Sequence, residues 1–310
     1  MALALSMTST SGVHVRSNDW QVPVFRAGID LVNLGVTVTD RKGALLTDLA
    51  ADDFNVYEDG KKQVVRYFAA GEASSADRPG PEMHLGLLLD VSRSMVEDIG
   101  FTRTAAIRFL NTLQDAVDIT LVDFDTEVRV ARYGQREYAR LIERIRNQKS
   151  TGWTALYDAI GVYLDGAAEQ EGRTIMLLYT DGADTSSALG FGDLLALLKA
   201  SDVTVYVIGA LEHQLPSVKE AQRVLLLRIA EVTGGQAFFP RLVKDLDQVY
   251  EKVLAEIRAQ YTIGYLSTNG TADGRWRKVD VRVGRRDGRE YRVRSRKGYF
   301  APRGPVEKRP

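Results

Sequence analysis

The chain has 310 residues, 45% of them hydrophobic, with 41 Lys+Arg against 41 Asp+Glu. That is enough apolar material for one large core or two modest ones, and the neutral balance gives no support to wholesale nucleic-acid binding. No cysteine is present, so disulfides, thiolate catalysis and Cys-ligated zinc are excluded.

Residues 1–23 read as a flexible start or a signal remnant: Met1 to Met7 is apolar but short and lacks a basic flank. No run reaches the length needed to cross a bilayer. Residues 24–72 read as the first part of a β domain, β-rich over 29–38. Turns are expected at Asp40-Arg41-Lys42-Gly43 and Glu58-Asp59-Gly60-Lys61, with a returning strand over 63–68. Residues 73–81, rich in Ser, Pro, Gly and charge, read as a linker.

Over 82–261 the texture changes. Short runs at 85–89, 119–122, 175–179 and 203–208 are apolar on both faces, as in strands of a parallel sheet covered by helices. Amphipathic stretches at 95–113, 155–168, 191–200, 218–232 and 246–260 lie between and after them. The alternation predicts an α/β domain with a doubly wound, mostly parallel sheet. Residues 262–302 return to strand texture at 261–266, 278–283 and 291–295, punctuated by Asn269-Gly270 and Asp287-Gly288, and 303–310 read as a tail.

Neither β flank is long enough to bury a good core alone. The economical arrangement pairs them into one small all-β, sandwich-like domain with the α/β domain inserted between; two independent small domains are the alternative. The basic run from Arg275 to Lys297 mostly alternates with apolar residues, and reads as a solvated strand face rather than a nucleic-acid or lipid patch.

The chemistry gathers behind two of the apolar strands. Leu88-Leu89-Asp90-Val91-Ser92-Arg93-Ser94 has the form D-x-S-x-S, and Tyr179-Thr180-Asp181-Gly182 ends another strand in a carboxylate. Ser94 with Glu97 also reads as a capping box for the following helix, which leaves Asp90 unexplained. If the two strands flank the order reversal of the sheet, Asp90 and Asp181 face one crevice. Two carboxylates about 4 Å apart repel by roughly 4 kcal/mol, which a divalent cation, a shared proton or a nearby Lys would offset. Thr154, in Ser150-Thr151-Gly152-Trp153-Thr154, opens a helix beside the same crevice, as a third contributor or as an N-cap. These side chains offer oxygen only, which suits Mg²⁺ with retained waters and an open position.

The three motifs, in this order, resemble a von Willebrand factor type A domain with a metal-ion-dependent adhesion site. The resemblance covers about 82–261 and implies metal ligands at Asp90, Ser92, Ser94, Thr154 and Asp181, with Mg²⁺, Mn²⁺ or Ca²⁺ as the ion. It implies a binding module rather than an enzyme, whose protein partner supplies an Asp or Glu, and a location outside the cytoplasm. The flanking pieces Val36-Thr37-Val38-Thr39-Asp40, 52–60 and Arg296-Lys297-Gly298-Tyr299-Phe300-Ala301-Pro302 resemble the bacterial VWFA-related Acidobacterial group. Where family members often carry a second Gly before the Thr, this chain has Trp153, which either lines the rim as a partner contact or packs under the loop.

Asp123 and Asp125 are candidates to steady the ligands from behind, with at least one of the two read as a solvated loop residue; Asp158 either does the same or is simply exposed, and Asp184 reads as a local turn cap. His14, His84 and His213 are the only histidines and fall in no metal-ligand spacing. No G-x-S-x-G elbow or phosphate-binding loop is present. Two rival functions stay open: Mg²⁺-assisted hydrolysis of phosphate esters, and a spacer role in which the β domain does the binding.

Overall fold

In the computed structural model, which describes residues 31–71, 81–113, 115–242, 245–284 and 290–303, the chain opens with β1 (Val32–Thr39), β2 (Phe54–Glu58), β3 (Lys61–Gln63) and β4 (Val65–Ala69). The β2–β3 turn uses Asp59 at φ 47° and Gly60 at φ 82°, the left-handed pair a tight two-residue hairpin demands. The returning strand expected over 63–68 is broken. β3 pairs with β2, while β4 belongs to a different sheet, and Val64 marks the crossing between them. The expected linker and Asp287-Gly288 lie wholly or mostly outside the described residues, as do 1–30.

The central unit runs β5 (Met83–Asp90), α1 (Ile99–Thr112), β6 (Ala116–Phe124), β7 (Val128–Gly134), α2 (Tyr138–Arg146), α3 (Leu156–Ala167), β8 (Arg173–Thr180), α4 (Phe191–Ala200), β9 (Thr204–Gly209), α5 (Pro216–Val232), β10 (Gln236–Phe238) and α6 (Asp245–Ala259). Its six strands lie in the order β10-β9-β8-β5-β6-β7. All neighbours are parallel except β7, which returns antiparallel beside β6. Every residue of β5 is buried, as a central strand with helices on both faces requires. Leu85, Leu87 and Leu89 pack with Phe109 of α1 and Val253 and Ile257 of α6. Leu88 and Met176 pack on the other side with Ile160 of α3, Leu198 of α4 and Ile229 of α5. Each such fully buried side chain contributes about 1.5–3 kcal/mol relative to exposure. The fold is α/β, a mixed and mostly parallel sheet between helical layers.

The last strands are β11 (Tyr261–Tyr265), β12 (Trp276–Val283), β13 (Arg292–Arg294) and β14 (Gly298–Phe300). With the first four they make two antiparallel four-stranded sheets, β13-β1-β11-β4 and β14-β12-β2-β3. β1 lies against β11 from Val32↔Tyr265 to Val36↔Tyr261, and β2 against β12 from Glu58↔Val279 to Phe54↔Val283. Each sheet therefore takes strands from both sides of the central unit. Leu34, Val36, Phe54, Tyr261, Ile263 and Val281 share one core between them.

The basic run is only partly solvated. Arg277 is buried and pairs with Asp273, while the buried Arg296 reaches Asp202 and donates to the Asn33 carbonyl at 2.6 Å. Arg294 binds Glu256 of α6 at 2.5 Å and the Gly235 carbonyl at 3.1 Å. Asp202 precedes β9 and Gly235 precedes β10, so these contacts seat the β sheets at the amino-terminal end of the parallel strands. Arg173 reinforces that end, its backbone N–H on Glu82 O at 2.7 Å and its guanidinium on Ile257 O at 2.6 Å. Among the described residues no helix is long and apolar enough to cross a membrane.

Candidate metal centre

The sheet order reverses between β5 and β8, so the crevice of this doubly wound sheet opens beyond their carboxyl ends. Asp90 is the last residue of β5 and Asp181 directly follows β8. They are 0% and 2% exposed.

Each carboxylate is held from below. Asp90 Oδ1 accepts the Ser92 backbone N–H at 3.0 Å, and Oδ2 accepts the Thr180 hydroxyl at 2.6 Å. Asp181 Oδ1 accepts the Ala183 N–H at 3.0 Å, and Oδ2 accepts the Gln214 side-chain amide at 2.9 Å. The hydroxyls of Ser92 and Ser94 lie 3.0 Å apart. The Thr154 loop is stitched to the same crevice: Thr151 N–H donates to Val91 O at 2.8 Å and Arg93 N–H to Gly152 O at 3.3 Å. Gly152 makes this close approach at φ 69°; a Cβ there would meet the Thr126 hydroxyl at 2.6 Å.

Burial, and then the charge of Asp181, push the Asp90 carboxyl up from 3.8 to about 7. Among the described residues neither carboxylate takes part in an ion pair. Nor does any cluster of three or more His, Cys, Asp or Glu there have metal-binding spacing. A cation at this crevice would rest on two carboxylates supplemented by hydroxyls. Asp90, Ser92, Ser94, Thr154 and Asp181 fit that requirement, since they bring hard oxygen donors alone and the buried charge pair lacks a protein counter-ion.

The family model for the von Willebrand factor type A domain matches residues 84–252, more than half of the chain. The chain belongs to the von Willebrand factor type A family. Comparison with curated proteins returns no match. Among solved structures it is similar to a von Willebrand factor type A protein from Catenulispora acidiphila, with TM-score 0.46, 14% identity, and 89% of this chain and 76% of that one covered. It is also similar to the vWF domain of the type V pili tip protein Mfa5 from Porphyromonas gingivalis, with TM-score 0.47, 12% identity, and 57% and 97% covered. A third is the pilus adhesin SpaC from Lactobacillus rhamnosus GG, with TM-score 0.48, 10% identity, and 85% and 49% covered.

Within the type A domain the remaining candidates fall into distinct places. Trp153 is 65% exposed while its backbone N–H donates to Thr126 Oγ1 at 2.8 Å, so the loop is pinned and the indole stands in solvent. Asp123 is buried, and both its oxygens are taken by guanidinium groups, Arg129 at 2.6 Å and Arg144 at 2.6 Å. Asp125 is buried too, so neither member of the pair is the solvated loop residue expected of one of them; it accepts the Thr151 hydroxyl at 2.9 Å and so supports the Thr154 loop. Asp158 accepts the N–H groups of Ala188 and Leu189, both at 2.9 Å, and orders the segment after Asp181. Asp184 accepts the Ser187 hydroxyl at 2.6 Å and the Tyr157 N–H at 3.2 Å, capping both its own turn and the start of α3.

Ser94 does not begin the following helix. It lies in a short 3-10 turn, Arg93–Met95, and α1 starts at Ile99. The residue is exposed, and its hydroxyl lies 3.0 Å from that of Ser92 at the crevice. Thr180 and Gln214 were not singled out from the sequence. Thr180 could have been, as the residue before Asp181 on a strand buried throughout this end; Gln214 sits in a loop with no motif around it. His84 is the second residue of β5, at the far end of the sheet, between Asp118 at 3.0 Å and Glu171 O at 2.9 Å.

Proposed function

We propose that the chain is a cation-dependent protein-binding module. A divalent ion, Mg²⁺ or in its place Mn²⁺ or Ca²⁺, is held by Asp90, Ser92, Ser94, Thr154 and Asp181, and an Asp or Glu of a partner protein completes its coordination. The observation that carries this reading is the pair of buried carboxylates on neighbouring strand ends, neither of which takes part in an ion pair among the described residues. Bound there, the ion would supply positive charge that offsets their repulsion and attracts a third carboxylate from outside. Thr180 and Gln214 hold the two carboxylates in orientation, and the 151–154 loop, bonded to Val91 and Arg93, would present the threonine to them.

The role is binding rather than catalysis, outside the cytoplasm, in the Acidobacterial-type group that the flanking motifs suggest. Titration of Mg²⁺ or Mn²⁺ into the full chain is expected to give one divalent site, abolished in Asp90→Ala while the far-ultraviolet circular dichroism is retained. Equal ion binding by Asp90→Ala, or none by the wild type, overturns the reading. A phosphatase and esterase screen tests the non-catalytic part of it.

A further inference from the structure

Among the described residues four large hydrophobic side chains are 60% or more exposed: Leu215 at 72%, Trp153 at 65%, Val96 at 60% and Val64 at 60%. Single exposed hydrophobics are ordinary. Here, however, the first three occupy three separate loops around one polar crevice, and each loop is fixed to it. Val96 follows the 3-10 turn that begins at Arg93, whose N–H is bonded to Gly152 O. Trp153 is the next residue after Gly152, with its backbone bonded to Thr126. Leu215 adjoins Gln214, which donates to Asp181. The backbones are anchored while the side chains stand outward.

We propose that Trp153, Val96 and Leu215 form an apolar rim around the cation position. The segment that fits it carries a single Asp or Glu flanked by aromatic or branched aliphatic side chains. This rests on the cation reading above and adds the partner's chemistry to it. Apolar contacts around a central charged contact exclude water and lower the local dielectric, which strengthens a carboxylate–cation contact inside them. The same surface disfavours a run of acids. Glu97 and Asp98 stand next to Val96, with His213 3.1 Å from Glu97 and 3.6 Å from Asp98, so further partner carboxylates would meet like charge.

The test uses the full chain on an array of immobilised peptides, in Mg²⁺ and in chelator. One set holds a single Asp between Phe and Leu, a second replaces that Asp by Asn, a third flanks Asp with Ser and Gly, and a fourth holds a run of Asp. Mn²⁺ binding is measured in parallel on the wild type, Trp153→Ser and Leu215→Ser. Retention of the first set alone is expected, in Mg²⁺ alone, weakened about tenfold by each substitution with Mn²⁺ binding unchanged. Equal retention of the Ser/Gly-flanked or polyacidic peptides, no effect of either substitution, or retention of no peptide overturns the rim while leaving the ion site standing. Retention of the Asn peptides in chelator overturns it as well, by making the patch a cation-independent apolar site. Absence of Mn²⁺ binding by the wild type is the separate result that removes the ion site itself.

Discussion

The Thr180 hydroxyl donates to Asp90 Oδ2 at 2.6 Å, and the same oxygen of Thr180 accepts the Gly182 N–H at 3.0 Å. One side chain thus joins the end of β8 to the carboxylate at the end of β5 and shapes the turn carrying Asp181. Thr180→Val keeps the shape and removes both bonds, leaving a buried carboxylate oxygen without its donor. A loss of about 1–3 kcal/mol of stability is expected, with weaker divalent-ion binding, read by urea unfolding with and without Mg²⁺.

The pH dependence of the ion-free protein follows from Asp90. Its folded-state value, about 7, lies above the ordinary 3.8, so the folded state keeps a proton that the unfolded chain has already released. The associated stability is full below about pH 4 and is lost as pH rises to about 7, on the order of 4 kcal/mol in all. In chelator the urea midpoint is expected to fall over that window, and Asp90→Asn to flatten it. A midpoint that rises from pH 4 to 7 in both proteins would contradict the assignment.

Gly182 lies directly behind Asp181 at φ 83°, where a Cβ would come within 3.0 Å of Gln222 Cβ. Gly182→Ala meets both a left-handed backbone and that contact, so a cost of about 1–3 kcal/mol is expected. Because the strain falls beside Asp181, a ligand in the proposed ion site, ion affinity is expected to drop with it, measured by Mn²⁺ titration.

In the β sheets the buried Glu58 accepts hydroxyls from Ser267 at 2.6 Å, Tyr299 at 2.8 Å and Tyr265 at 2.9 Å. Glu58→Leu strands these three donors and is expected to cost about 2–4 kcal/mol. Mn²⁺ binding by the folded fraction is expected to stay at the wild-type level, since Glu58 belongs to neither the crevice nor its loops.

The parts legible in the sequence were those with a strong period or a long apolar run. β5, β8 and β9 are buried on both faces, and the chain spells them as unbroken hydrophobic stretches. Asp90 and Asp181 stood out because a carboxylate closing such a strand has no core role. β7 and α2 were missed. Val128 to Tyr133 reads Val-Arg-Val-Ala-Arg-Tyr, with neither an unbroken apolar run nor a strict alternation, and α2 is only nine residues long. The break at Val64 was invisible because 63–68 reads as one alternating run; only the division between two sheets decides it. Gln214 takes its role from a loop brought to Asp181 over 33 positions, a distance no local pattern encodes.

The β sheets hold the central unit at the end opposite Asp90 and Asp181, through Arg294, Arg296 and the entry of α6 into β11. A tether pulled at the crevice would therefore load β5 and β8 lengthwise, in shear across their parallel ladders to both neighbours, rather than unzip them from an edge. The antiparallel hairpin of β6 and β7 lies to one side of that line of force. The layout sets the β sheets and the crevice at opposite poles, joined by two central strands buried almost throughout.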